Sequence, residues 1–225
     1  MSASTDPLAA LMASLAEPGL LIGHRVIAPG DEQALLPNEA AHFRNAIAKV
    51  RRQSGAARIA ARALLQCLNH PDLARDVAIA KARSGAPVWP SGITGSLAHD
   101  EQVAIAAVAR TTNFLALGID IEPAEDLPGD LVDVVATPAE QSRYPQSLLH
   151  SRQLFVAKEA VYKAVHPLDQ IFLDFHDIDV NLEQQTAHVR YGRTLHVKVM
   201  SASHVVALAS IKAGHSFSTA SLGHN

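Results

Sequence analysis

The chain has 225 residues, 48% of them hydrophobic and 18% charged, with a formal net charge of −3. That much apolar material can fill one large domain or two small ones and excludes a mainly disordered chain, and the small negative charge argues against nucleic-acid binding by the chain as a whole. No apolar run reaches transmembrane length, the first twenty residues hold no Lys or Arg for a secretory leader, and the single Cys67 excludes an internal disulfide or a cysteine zinc site, so a cytoplasmic protein with no membrane partner is expected.

From the N-terminus, residues 1–37 are punctuated by Pro and Gly. Leu20-Leu21-Ile22 reads as a strand and Pro29-Gly30-Asp31 as a turn. Residues 38–69 read as helix, with Asn38 as N-cap and Gly55 as a break before a second helix, Ala56 to Leu68. Residues 84–95 are rich in Ser, Gly and Pro and predict a loop, which continues through Gly95-Ser96-Leu97-Ala98-His99-Asp100. Val103 to Ala109 and Leu115 to Glu122 predict a hairpin turning at Arg110–Asn113. In its second arm Leu115, Leu117, Ile119 and Ile121 alternate with Ala116, Gly118, Asp120 and Glu122. Thr137-Pro138-Ala139-Glu140 starts a short helix, and Ser151 to Val165 forms a longer one ended by Pro167. Residues 171–211 read as strands joined by turns at Tyr191-Gly192-Arg193 and Ser201-Ala202-Ser203, and the tail after Gly214 as loose. No internal repeat is evident.

Charge is segregated. Between Ala40 and Pro71 lie Arg44, Lys49, Arg51, Arg52, Arg58 and Arg62 with no acid, and between Thr111 and Gln141 lie seven acids with no Lys or Arg. One stretch is suited to anions and the other to cations, although either run alone is also what a solvated face looks like. Asp120 and Glu122, two apart on a strand, leave the same face, and two hard oxygen ligands on a rigid strand suit Mg²⁺, although the pair taken alone reads more simply as an exposed acidic strand face. Glu159 and Lys163 share a face of an otherwise apolar helix, where each charge needs a partner, while Lys158 points about 100° away. Zinc spacing, Walker loops and Gly-x-Ser-x-Gly elbows are absent from the sequence.

Four motifs stand in a fixed order: Arg58-x-x-Ala61-Arg62-x-Leu64, Gly85-x-Pro87-x-Trp89-Pro90 with Gly95-Ser-Leu-Ala-His99, Gly118-Ile-Asp120-Ile-Glu122, and Phe155-x-x-Lys158-Glu159-Ala160-x-x-Lys163. Together, over roughly residues 40–210, they resemble the 4′-phosphopantetheinyl transferases, in particular the enterobactin/surfactin-type subfamily. The resemblance implies an α+β pseudo-dimer of two similar halves, each an antiparallel sheet packed on a helix, with the active site in the cleft between them. The halves are expected at residues 1–113, with the basic helix and phosphate-binding loop, and 114–225, with the metal-binding strand and Lys-Glu helix.

The resemblance also implies an activity: a monomeric enzyme that transfers 4′-phosphopantetheine from coenzyme A to a serine of an apo acyl- or peptidyl-carrier domain, with Mg²⁺, releasing 3′,5′-ADP. Siderophore or other nonribosomal-peptide assembly is the subfamily's setting. Asp120, Glu122 and Glu159 match its metal ligands, and Glu159 also its base. Lys163 and His99 match groups on the coenzyme A phosphates, Arg62 with Arg58 those at the 3′-phosphate, and Gly85, Pro87 and Lys158 belong to coenzyme A-binding motifs. Two positions depart from the pattern: Ala98, where a Ser is usual, and Asp100, where a small neutral residue is usual. Two other readings stay open: a Mg²⁺-dependent phosphoesterase or nuclease, and a non-catalytic module that binds coenzyme A or a carrier.

Overall fold

A computed structural model describes residues 6–68, 76–144 and 147–214. The chain opens with helix α1 (Pro7–Leu15), capped by the Asp6 carboxylate on the Leu8 amide, an element the sequence reading leaves out. Strand β1 (Leu20–Val26) follows, then helix α2 (Ala48–Cys67). The expected N-cap at Asn38 is not used. Asn38 sits inside a short helix, Pro37–Ala40, and the long helix begins at Ala48.

Gly55 does not break α2. Its missing side chain lets the backbone of residue 31 press against the helix, since a Cβ there would stand 2.0 Å from the Asp31 carbonyl oxygen.

Next come β2 (Ala80–Lys81), β3 (Pro87–Val88), β4 (Ile93–His99) and β5 (Val103–Arg110). The predicted loop through Gly95 and His99 is therefore strand β4, paired antiparallel with β5. After β6 (Phe114–Pro123) and the short helix Pro138–Arg143 comes helix α3 (Leu148–Asp169), followed by β7 (Ile178–Asn181), β8 (Thr186–Val189), β9 (Thr194–Ser201) and β10 (His204–Lys212). Pro167 lies inside α3, which runs on to Asp169. The tail after Gly214 lies outside the described residues. Among the described residues no helix is long and apolar enough to cross a membrane.

The predicted hairpin of Val103–Ala109 with Leu115–Glu122 does not form. β5 is the centre of a sheet ordered β1-β5-β4, and β6 is the edge of a second sheet ordered β6-β10-β9-β8-β7. The two sheets repeat one plan, because in each half the first strand pairs with the last and the last with the one before it. The halves pack in four layers. Ala60, Ala61 and Leu65 of α2 cover one face of β5 through Ala106 and Val108. The other face of β5, Ile105, Ala107 and Ala109, meets Leu117, Ile119 and Ile121 of β6 and Val206 and Leu208 of β10, with α1 sealing this inter-sheet core. β5 is apolar from Val103 to Ala109 because that stretch is buried on both faces.

The expected alternation in β6 holds from Ala116 onward and slips before it. Ala116 pairs with Ile211 and Phe114 with Lys212, so Leu115 bulges out, exposed, and Phe114 turns in. On the opposite face of β6, Gly118 admits α3: a Cβ there would stand 1.8 Å from the Ala160 carbonyl oxygen. This contact brings Glu159 and Lys163 down onto the strand that carries Asp120.

Candidate active site

The inter-sheet core anchors Ile119 and Ile121, so Asp120 and Glu122 project from the other face of β6, toward α3. Lys163 Nζ donates to Asp120 Oδ1 at 2.6 Å and to the Ile119 carbonyl at 3.3 Å. Glu159, one turn earlier on α3, is pushed above the usual carboxylate range by burial and by the Asp120 charge, which Lys163 only partly offsets. Burial and Asp120 raise Glu122 as well, against the pull of Arg152, whose Nη1 lies 3.5 Å from it. From β4, His99 is drawn below the ordinary imidazole value, chiefly by desolvation and also by Lys163, while Asp100 and Asp120 oppose the shift.

Of these groups, Glu159 and Lys163 line a cleft of about 500 Å³ between the halves, while Asp120, Glu122, Arg152 and His99 are not among its lining residues. Gly85, Pro87, Trp89 and Ser96 line it from the first half, and Glu159 and Lys163 from the second. Tyr162 and His166 also line it, and Arg152 reaches Glu122; the sequence reading did not single these three out. All three lie at helical spacing from Glu159 or Lys163, so the 3.6-residue period held the signal.

Three of the expected coenzyme A-binding cations are not brought to this cleft. Arg62 donates to Glu39 Oε1 at 2.8 Å and to the Ala34 carbonyl at 2.6 Å. Arg58 donates to the carbonyls of Ile79 and Ser54, lies 3.6 Å from Glu39 and is 4% exposed. Glu39, fully buried, stands just before the acid-free run, which is why that run looks unneutralised in sequence. Lys49 pairs with Glu101 and Arg52 with Glu32, so four of the six cations meet acids from outside the segment.

Lys158 is likewise enclosed: its ammonium donates to Glu140 Oε2 at 2.7 Å, the Val135 carbonyl at 2.7 Å and the Phe175 carbonyl at 2.9 Å. Burial pulls its pKa down against the opposing pull of Glu140.

Asp100 has a structural partner set. Its Oδ1 accepts from the Gln102 and Val103 amides at 2.6 and 2.7 Å, closing the β4–β5 turn.

The chemistry of the acids fits a hard divalent cation. Asp120, Glu122 and Glu159 act on one another electrostatically: burial, and after it the Asp120 charge, pushes Glu122 and Glu159 above the ordinary carboxylate value, and a cation there would offset that. With Lys163 seated on Asp120, no three acidic or imidazole groups among the described residues stand close enough together to hold a metal ion as they are placed.

A family model described as the 4′-phosphopantetheinyl transferase N-terminal domain matches residues 38–109, and one described as the 4′-phosphopantetheinyl transferase superfamily matches residues 116–209. The chain belongs to this superfamily. Its halves and the cleft between them are the transferase's two-part fold, and it is an enzyme of the transferase class. It is 38% identical to 4′-phosphopantetheinyl transferase Npt of Nocardia iowensis over 168 residues, covering 73% of this chain and 74% of that protein. It is 38% identical to PptT of Mycobacterium tuberculosis over 152 residues, 66% of this chain and 65% of that protein. Enterobactin synthase component D of Escherichia coli is 37% identical over 109 residues, 45% of this chain and 51% of that protein.

Proposed function

We propose that this transferase moves 4′-phosphopantetheine from coenzyme A to a serine of an apo acyl- or peptidyl-carrier domain, with Mg²⁺, releasing 3′,5′-ADP. The observation that carries the reading is the placement of Glu159 and Lys163 over Asp120 at the inter-half cleft, with Glu122 beside them. The serine Oγ attacks the β-phosphorus of coenzyme A, and the bond to the oxygen bridging to the adenosine-side phosphate breaks. Glu159, its basicity raised by burial, takes the hydroxyl proton. Lys163 stabilises the charge gathering on the departing phosphate, and His99 adds a second donor from the end of β4. Asp120, Glu122 and Glu159 would hold Mg²⁺, which supplies charge neutralisation on the pyrophosphate oxygens.

With Arg58 and Arg62 held by Glu39, the 3′-phosphate is assigned to another cation. Lys81 is exposed, and its Cε lies 3.6 Å from where a Cβ on Gly85 would stand, at the cleft wall. The halves are taken as residues 1–113 and 114–225, and the catalytic groups of both belong to one chain, which supports a monomer. We place the enzyme in the cytoplasm and, given the enterobactin synthase relative, in siderophore or nonribosomal-peptide assembly.

Mass spectrometry of apo carrier proteins incubated with the enzyme, coenzyme A and Mg²⁺ tests the reading. A gain of one phosphopantetheine with release of 3′,5′-ADP is expected. Hydrolysis of coenzyme A without a carrier adduct would favour the phosphoesterase, and binding without turnover the non-catalytic module.

A further inference from the structure

Asp100 departs from the family pattern at the end of β4, and its surroundings give it a role beyond closing a turn. Its side chain is 5% exposed. Oδ1 is used by the two turn amides, whereas Oδ2 is buried and accepts no aligned hydrogen bond from any group. The group facing Oδ2 is His204 Nε2, 3.0 Å away, at the start of β10 in the other half. On its other ring nitrogen, His204 Nδ1 lies 3.1 Å from Ser203 Oγ, so the contact between His204 and Asp100 is one of charge and proximity across the two halves.

Both ends of this contact are tied to reacting groups. On one side, Asp100 follows His99 directly, and Gln53 of α2 holds the Asp100 carbonyl at 2.9 Å. On the other, His204 pairs with Pro123 and Val205 with Glu122 in the β10–β6 ladder, and the Ala124 amide donates to the Ser203 carbonyl at 3.2 Å. A short rigid path thus runs from His99 through Asp100 and His204 to Glu122.

We propose that Asp100 and His204 form a clasp across the two halves, a pair of positioning residues that sets the separation between His99 and the acids of β6 for phosphopantetheine transfer. The clasp rests on the transferase reading for its effect on rate, and neither residue is assigned a contact with substrate. Misplacing reacting groups by about an ångström costs up to ~10² in rate, and loss of one of several braces should fall below that ceiling.

The test is a double-mutant cycle of Asp100→Asn and His204→Gln. Asn keeps an oxygen for the turn amides and loses the charge facing His204. Transfer from coenzyme A to an apo carrier is followed well below the melting midpoints of all four proteins. Binding of coenzyme A is read separately from Trp89, the one tryptophan of the chain, which lines the cleft. Each single variant is expected to lower kcat by roughly 5–50-fold with the coenzyme A Kd changed less than about two-fold, and the double variant should be no slower than the worse single one. Wild-type kcat in both single variants, or losses that multiply in the double variant, overturns the proposal. Coupled melting midpoints with unchanged kcat also overturn it, because the pair then braces the fold without positioning the chemistry. A wild type that transfers nothing to any carrier fails the transferase reading instead, and non-additive melting midpoints still report the clasp itself.

Discussion

Glu39 and Glu140 occupy the same place in the two halves of the chain. Each is the third residue of a short helix that begins with Pro, and each is fully buried. Each accepts at 2.7 Å from an amide forty residues further on, Ile79 for one and Val180 for the other. Each also accepts at 2.8 Å from the amide of the residue just before its own helix, Leu36 or Thr137, and from one cation of the long helix, Arg62 or Lys158. Both cations then reach a carbonyl five residues before the glutamate, Ala34 or Val135. Arg62 and Lys158 are therefore counterparts, and both close the fold of their own half.

The first prediction follows for Arg62. Its loss leaves Glu39 buried with its principal cation gone, which costs on the order of 3 kcal/mol. Arg62→Ala should lower the melting temperature and weaken turnover of coenzyme A and 3′-dephospho-coenzyme A by the same factor. Lys81→Ala should raise KM for coenzyme A by about 10-fold or more and leave the dephospho compound unaffected, since charge-assisted bonds are worth roughly 1.5–3 kcal/mol. A selective loss of coenzyme A in Arg62→Ala would return the 3′-phosphate to α2.

Lys158 and Glu159 are adjacent, yet their substitutions should fail in different ways. Lys158→Ala strands the Glu140 carboxylate in the core and should cost about 3–5 kcal/mol of stability, with turnover per folded molecule largely kept. Glu159→Gln should melt at or above the wild-type temperature, because a buried charge is relieved, and lose at least ~10² in kcat. Calorimetry paired with assays at low temperature separates the two, and equal damage from both variants would count against the assigned roles.

Gly118→Ala tests the seating of α3 on β6. The added Cβ would meet the Ala160 carbonyl at 1.8 Å, so the helix must move or the strand must bend. Overpacking of this kind costs about 1–3 kcal/mol, and a backbone clash belongs at the upper end. The same shift separates Lys163 from Asp120, so transfer should fall even where the protein stays folded. A variant with normal melting and normal kcat would show that the helix height above the strand is not critical.

The acids also predict a pH dependence. Folding raises Glu122 and Glu159 above their ordinary value of 4.5, so the folded chain holds protons that the unfolded chain has lost. Their contribution to stability is full below 4.5 and is lost as pH rises through the raised values. Glu159→Gln should flatten this part of the stability profile. Mg²⁺ needs the ionised carboxylates, so its affinity should weaken as pH falls through the same range, with protons released on binding. Titration calorimetry in two buffers of different ionisation enthalpy measures that release, and its absence would argue against Glu122 and Glu159 as ligands.

Features that depend on near neighbours were legible in the amino-acid order. The alternation along β6 put Asp120 and Glu122 on one face and Ile119 and Ile121 on the other, and helical spacing put Glu159 and Lys163 together. The Thr137–Glu140 cap was legible for the same reason: Thr137 Oγ1 accepts from the Glu140 amide, and the Glu140 carboxylate accepts from Thr137. The internal repeat was not legible, because the shared scaffold is built mostly from main-chain groups, the amides of Ile79 and Val180 and the carbonyls of Ala34 and Val135, which constrain side-chain identity little. Pro37-x-Glu39 and Pro138-x-Glu140 are its main side-chain trace. Folding in three dimensions settled the rest: that β5 and β6 enter different sheets, that Leu115 bulges, and that Arg62 and Lys158 serve the core while Lys163 faces the cleft. All of these depend on partners brought together over long stretches of chain, where a buried cation is fixed by whichever carboxylate folding delivers to it and composition near the cation in sequence says little.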